Sequence, residues 1–281
     1  MKTLVQKIPL DHQESFACRT YTTPSFETNW HQHEEYELIL ITQGNGTALI
    51  GDYVNEYRKG DVYFLASNLP HWFRKSNPKI IGSAIVIHFT KQIFENGFLN
   101  TPELSNINSL LESQNGLFFQ RKMKQLITEH ILKINESQGF ERMMLLLICL
   151  EEIANGKQYD VIAKDFSDSK NNVNQTIESV IEYTFKNFKN PITLKEIAAT
   201  VKMTIPTFCR FFKRNIKKSY FDFLQEVRIS HACKMLHSTN KAVMSICYES
   251  GYNSWSHFSK QFKVVKKMTP SSYRKKYRND M

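Results

Sequence analysis

The chain has 281 residues, 41% hydrophobic and 12% aromatic, which is enough apolar material for two folded domains and too much for a disordered chain. No run reaches the roughly eighteen apolar residues of a membrane span, and the longest, "MMLLLICL" at 143–150, reads as a buried helix segment. The net charge of +10 is uneven: residues 174–281 hold 20 Lys and Arg against 7 Asp and Glu, while residues 1–173 hold 17 against 20. The second half alone therefore calls for a polyanionic partner, nucleic acid or a membrane surface.

The opening "MKTLVQKIPLDHQES" lacks an apolar stretch followed by a small-residue cleavage site, so no secretory signal is expected. Five scattered cysteines, at 18, 149, 209, 233 and 247, form no CxxC pair, which predicts reduced thiols and a cytoplasmic location.

From about residue 16 to 90 the runs "YELILIT", "GTALIGDYV", "GDVYFLAS" and "GSAIVIHFT" alternate with the breaks "QGNG", "NEYRKG" and "SNLPHW". Short strands without intervening helices predict an antiparallel barrel or sandwich. Within this region "NWHQHEEYELILITQG", residues 29–44, sets His31 and His33 one residue apart and Glu37 four further on, with Gly44 beyond. Imidazoles and a carboxylate at that spacing have the character of metal ligands.

After residue 115 the period changes. Phe119, Met123, Leu126, Ile127, His130, Ile131 and Ile134 recur at helical spacing, and 140–153 reads as a second apolar helix. So much Leu, Met and Ile predicts helices that cap the barrel, pair with the same helices of a second subunit, or do both. "GKQYDVIAKDFSDSKNNVN", from 156, is polar and aperiodic and reads as a linker. The expected organisation is a domain over 1–155, a linker over 156–173 and an all-helical domain over 174–281, an α+β two-domain chain.

The C-terminal half contains a repeat. Phe208, Phe212 and Lys213 recur as Phe258, Phe262 and Lys263, and Lys217, Ser219 and Phe223 recur as Lys267, Thr269 and Tyr273, all at an offset of fifty. Ile197-Ala198 recurs as Ile246-Cys247 at forty-nine. Each copy reads as a short helix, a turn and a second helix ending in a basic aromatic run, the layout of a helix-turn-helix whose second helix enters the major groove. Thr193 and Glu196 form a capping box before the first copy, whereas Ala242 and Ser245 stand at those places in the second. Between the copies runs an uninterrupted helical pattern, 219–237, about 28 Å long at 1.5 Å per residue. A rod of that length suits two reading helices in successive major grooves, about 34 Å apart.

"GYNSWSHFSKQFK" followed by "TPSSYRKKYR", with the first helix-turn-helix spaced correctly upstream, resembles the DNA-binding domain of the AraC/XylS family of bacterial transcription regulators. The resemblance implies base reading by residues early in each second helix: Pro206, Thr207, Cys209 and Arg210 in the first copy, and Trp255, Ser256, His257 and Lys260 in the second. Arg210 is the leading reader, because a guanidinium pairs bidentately with guanine O6 and N7. Cys209 and Trp255 are equally well read as buried residues. Lys217, Lys263 and Lys267 are expected on phosphates, and Lys213 is expected to contact DNA beside them. Lys217 and Lys267 stand where the family usually has glycine, which implies left-handed backbone at a cost of ~1 kcal/mol each.

The N-terminal region resembles the small barrel domain of the cupin superfamily, the sensor of many AraC/XylS regulators. His31-x-His33-x3-Glu37-x6-Gly44 matches the first cupin motif; Gly60-Asp61 and Pro70-His71 fit the second, whose late asparagine is missing. In metal-binding cupins His31, His33, Glu37 and His71 would be the ligands, an N3O set suited to Zn, Fe, Mn or Ni. Alternatively the same groups hydrogen-bond a hydroxylated ligand, with Trp30, Tyr36 and Trp72 as stacking surfaces; a third reading leaves them as rim residues. No nucleophile, general-base pair or phosphate loop accompanies them, so no catalytic residue is assigned, no enzyme activity is expected, and the only cofactor considered is that metal. The resemblance implies a cytoplasmic, sequence-specific regulator of double-stranded DNA. It would be an activator beside RNA polymerase, responsive to a sugar or related polyhydroxylated metabolite, a homodimer through the helices at 118–155, and not a membrane protein. The alternative is a metal-dependent cupin enzyme or metal sensor tethered to DNA.

Overall fold

The computed structural model describes residues 14–24, 26, 28–94, 97–164 and 171–278. Most of the N-terminal stretch read for a signal, and residues 165–170 of the expected linker, lie outside the described residues. The chain divides near Asn171 into two compact units.

The first unit contains β1 (Ala17–Thr22), β2 (Tyr36–Gln43), β3 (Asn45–Ile50), β4 (Tyr53–Arg58), β5 (Val62–Leu65), β6 (His71–Lys75) and β7 (Ser83–Phe89), then α1 (Ser105–Glu112), β8 (Asn115–Phe119), α2 (Arg121–Glu136), α3 (Gly139–Asn155) and β9 (Tyr159–Lys164). The strands form a sheet ordered β1-β7-β2-β5-β8-β9 and a second ordered β4-β3-β6. The continuous apolar run of β2 follows from burial on both faces. Leu38 and Leu40 share a core with Ile127 and Ile131 of α2 and Leu146 and Leu150 of α3. Ile39 and Ile41 share another with Ala48, Ile50 and Phe73 of the smaller sheet. Ile127, Ile131 and Ile134 are fully buried, each burial stabilising by ~1.5–3 kcal/mol. The helices thus cover the outer face of the larger sheet, and the inner faces of the two sheets pack together.

Three expectations change. "NEYRKG" is not a break, because β4 runs through Arg58 and buries Tyr57 completely. His71 and Trp72, placed in a break, open β6. Residues 159–164, read as linker, form β9 paired antiparallel with β8. Only Ala163 of β9 is buried, so its order comes from backbone pairing at the sheet edge, to which an apolar pattern is blind. Gly44 joins β2 to β3 at φ +91°, where a Cβ would stand 2.8 Å from the Ile81 carbonyl oxygen; only glycine fits.

The second unit is helical among its described residues: α4 (Asn171–Asn187), α5 (Leu194–Thr200), α6 (Ile205–Ile216), α7 (Tyr220–Ser238), α8 (Val243–Glu249), α9 (Trp255–Lys266) and α10 (Pro270–Arg278). The repeat is structural. Phe208 and Phe212 meet at 5.7 Å between centroids, as do Phe258 and Phe262; Phe212 meets Phe223 at 5.5 Å and Phe262 meets Tyr273 at 5.6 Å. The rod α7 serves both modules: Phe223 packs on the first, while Ile229, Ala232, Cys233 and Leu236 pack with Ile246, Cys247, Phe258 and Phe262 of the second. The Thr193–Glu196 capping box forms at α5, and α8 begins at Ala242 without a side-chain cap.

Candidate functional sites

Strand alternation decides which polar side chains enter the space between the sheets. Glu37 shares the inward face of β2 with Ile39, His88 shares that of β7 with Ala84 and Val86, and His71 shares that of β6 with Phe73. The antiparallel register sets Glu37 opposite His88, and a bridge pairs His31 with His71. Five chemically active groups, His31, His33, Glu37, His71 and His88, therefore line one cavity of about 60 Å³. Its other walls are Tyr21, Phe26, Thr28, Ile39, Phe73, Ala84 and Val86.

Glu37 is the hub. Its Oε1 lies 3.0 Å from His33 Nε2 and 2.6 Å from His88 Nε2, and its Oε2 lies 3.1 Å from His71 Nε2. Burial opposes its charge, but His71, His33 and His88 outweigh that and hold the carboxyl well below the usual range. Burial also opposes charge on His33, yet Glu37 and Glu35 push it up to about 10. Burial, with His71 alongside, lowers His31 to about 3.

The Nδ1 atoms of His31, His33 and His71 face the backbone carbonyls of Asn29 (2.8 Å), Glu35 (3.1 Å) and Leu69 (2.8 Å). A proton on Nδ1 of each ring leaves Nε2 as the group presented to the cavity, the arrangement in which metal-bound imidazoles are held. Candidate donor atoms of His31, His33 and His71 lie within 4.8 Å of one another, as do those of His33, Glu37 and His88. Glu37 Oε2 is buried without a hydrogen-bond partner, although His71 Nε2 is 3.1 Å away. With the His71 proton on Nδ1, its Nε2 and Glu37 Oε2 are two acceptors facing each other, which suits a cation between them; with His71 doubly protonated the same contact is an ion pair. The residues present thus fit a divalent transition metal held by His31, His33, His71 and Glu37.

The predicted stacking residues do not line this cavity. Tyr36 faces the helices, stacked on Phe89 at 5.3 Å and donating its hydroxyl to the Leu111 carbonyl at 2.9 Å. Trp72 alternates to the other side of β6 from His71, beside the Arg74 guanidinium at 6.0 Å. Trp30 is buried and is not among the lining residues. The aromatic walls are Tyr21, Phe26 and Phe73 instead. Sequence reasoning also passed over His88. Its signal was a lone histidine near the end of the apolar strand "SAIVIHF", on the face of Ala84 and Val86.

In the second unit, Pro206, Thr207, Cys209, Arg210 and Lys213 lie exposed on α6, and Trp255, Ser256, His257, Lys260 and Lys263 lie exposed on α9. Phe208, Phe212, Phe258 and Phe262 turn inward to the core. Cys209 and Trp255 are therefore surface residues, not core. Thr204 and Ser254 cap the two helices through the backbone N–H groups of Thr207 and His257, which fixes each first turn. Both helices end on exposed left-handed lysines, Lys217 at φ 58° and Lys267 at φ 57°.

A two-sheet unit with an inward His/Glu cluster is joined to a helical unit with two exposed basic helices, the layout of a two-domain DNA-binding regulator. Residues 197–276 match the family described as a helix-turn-helix domain and residues 21–87 match the cupin domain. Curated relatives include the uncharacterized HTH-type transcriptional regulator YdeC of Bacillus subtilis (strain 168), 25% identical over 87% of this chain and 85% of its own. They also include the HTH-type transcriptional activator RhaR of Mannheimia succiniciproducens, 21% identical over 88% of this chain and 87% of its own. The lactose operon transcription activator of Staphylococcus xylosus is 23% identical over 89% of this chain and 88% of its own. The chain carries an AraC-type helix-turn-helix domain and, in its N-terminal part, a cupin domain, and its curated relatives are HTH-type transcription regulators. No helix among the described residues is long and apolar enough to cross a membrane.

Proposed function

We propose that this protein activates transcription in the cytoplasm in response to a small polyhydroxylated metabolite, a sugar or a close relative, bound in the cavity between the two sheets. The observation that carries the reading is the convergence of four histidines and Glu37 on one cavity whose other walls include Tyr21, Phe26 and Phe73. Hydroxyls find donors and acceptors on the first group, and the C–H face of a sugar ring finds aromatic surface on the second. The names of two relatives, activator RhaR and the lactose operon activator, agree with an activating role, the second with a sugar-related operon. Ligand binding regulates only if it favours one of two DNA-binding states.

DNA recognition is assigned to α6 and α9, with Pro206, Thr207, Cys209, Arg210, Trp255, Ser256, His257 and Lys260 at base edges and Lys213, Lys217, Lys263 and Lys267 on phosphates. Dimerisation is assigned to α3, whose exposed Phe140, Met144 and Ile148 recur every fourth residue on one face. RNA polymerase is the partner expected of an activator.

A second reading has a divalent metal in the same cavity, favoured by the three imidazoles held through Nδ1 on backbone carbonyls. Bound there, it would supply a Lewis-acid centre for effector oxygens. The test is a thermal-shift screen of the full chain against sugars, other polyols and divalent metals, followed by DNA binding with each hit. A ligand that binds only the native state raises stability by RT ln(1 + [L]/Kd). A screen in which no sugar or polyol raises the melting temperature or alters DNA binding would defeat the effector reading.

A further inference from the structure

His88 belongs to neither cupin motif, yet it makes the shortest contact in the cluster, 2.6 Å from Nε2 to Glu37 Oε1. It sits on β7 opposite Glu37 in the register, fully inside the sandwich. We infer that His88 is a positioning residue for the metal centre, holding the Glu37 carboxylate so that its second oxygen faces the ion. The inference rests on the metal reading of the cavity.

The argument turns on where each imidazole can keep its proton. His31, His33 and His71 each have a backbone carbonyl at Nδ1, so each can hold its N–H there and release Nε2 as a ligand. His88 Nδ1 is buried with no hydrogen-bond partner. If His88 Nε2 bound a metal, the ring's N–H would move to Nδ1 and be buried without an acceptor, which is unfavourable. The favoured tautomer keeps the proton on Nε2, donated to Glu37 Oε1. His88 therefore differs from the other three histidines in role as well as in sequence position.

The consequence falls on Glu37. Its Oε1 is engaged most closely by His88 from the neighbouring strand, with His33 Nε2 at 3.0 Å from the same oxygen, and its Oε2 is the buried oxygen without a hydrogen-bond partner, beside His71 Nε2. A carboxylate fixed at one oxygen presents the other in a set direction and loses less rotational freedom when it coordinates an ion. Groups that hold a ligand in this way typically contribute ~10–100-fold to metal affinity.

The test uses the full-length protein and Co²⁺, with affinity measured by competition against a chromophoric chelator and ligand geometry read from the visible d–d absorption. Wild type is expected to bind Co²⁺ with a defined spectrum. His88→Ala should bind ~10–100-fold more weakly with a shifted spectrum, and His88→Gln, whose amide N–H can reach Glu37, should regain most of the affinity and the spectrum. Should His88→Ala fail to fold, His88→Met fills the space without a donor and takes its place. Wild-type affinity and spectrum in the donor-less variant would overturn the role of His88 and leave the metal reading intact. No Co²⁺ binding by wild type would overturn both, and weakening without rescue by His88→Gln would show packing rather than positioning.

Discussion

Neighbouring residues on β2 should separate stability from sensing. Tyr36 and Glu37 point to opposite faces, the first to the helices and the second into the cavity. Tyr36→Phe keeps the ring packing on Phe89 and removes one buried hydrogen bond, 2.9 Å to the Leu111 carbonyl. Leaving that acceptor short of its partner costs about 1–2 kcal/mol. For a unit of this size that lowers the melting temperature by roughly 2–8 °C. Glu37→Gln keeps the volume but removes the charge that faces His33, His71 and His88. If Glu37 accepts from an effector hydroxyl, losing a charge-assisted hydrogen bond weakens binding by about 1.5–3 kcal/mol, roughly tenfold to over a hundredfold. The assay is thermal melting of the full chain with and without the effector found by screening. Tyr36→Phe should melt lower and keep the full ligand-induced rise, whereas Glu37→Gln should lose most of that rise. Loss of the ligand response in Tyr36→Phe, matching that in Glu37→Gln, would refute the assignment of the two faces.

On the DNA side, Arg210→Ala should cost ~1–3 kcal/mol and relax base preference at one position of a selected site. Lys263→Ala should weaken binding to all sequences alike and flatten the salt dependence by about one unit, read from affinities across a salt series. With α7 spanning about 28 Å, inserting five base pairs between the two contacted grooves should abolish joint binding in a mobility-shift assay, because half a turn carries one groove to the far face. Ala242→Ser should supply the missing cap of α8 and raise the stability of the second unit by ~0.5–1 kcal/mol in urea denaturation. Lys267→Gly, at φ 57°, should stabilise by up to ~1 kcal/mol while lowering DNA affinity, since it relieves backbone strain and removes a cation.

What the sequence determined by itself was local or periodic. The fifty-residue repeat, the Thr193–Glu196 box and the inward phenylalanines are helical features, carried by residues three or four apart, and all appear as read. The positive half, the cluster of His31, His33 and Glu37, and the turn at Gly44 were equally legible, because spacing along one segment encodes them. Tertiary structure decided what depends on pairing between distant strands. It placed His88 against Glu37, 51 residues away, and chose Phe26 and Phe73 over Trp30 and Trp72 for the cavity wall. It also made strand β9 from a polar stretch whose only strong signal is its partner β8. In a strand buried on both faces, composition is the same on either side, so only the register of its neighbours can say which residue looks into the cavity.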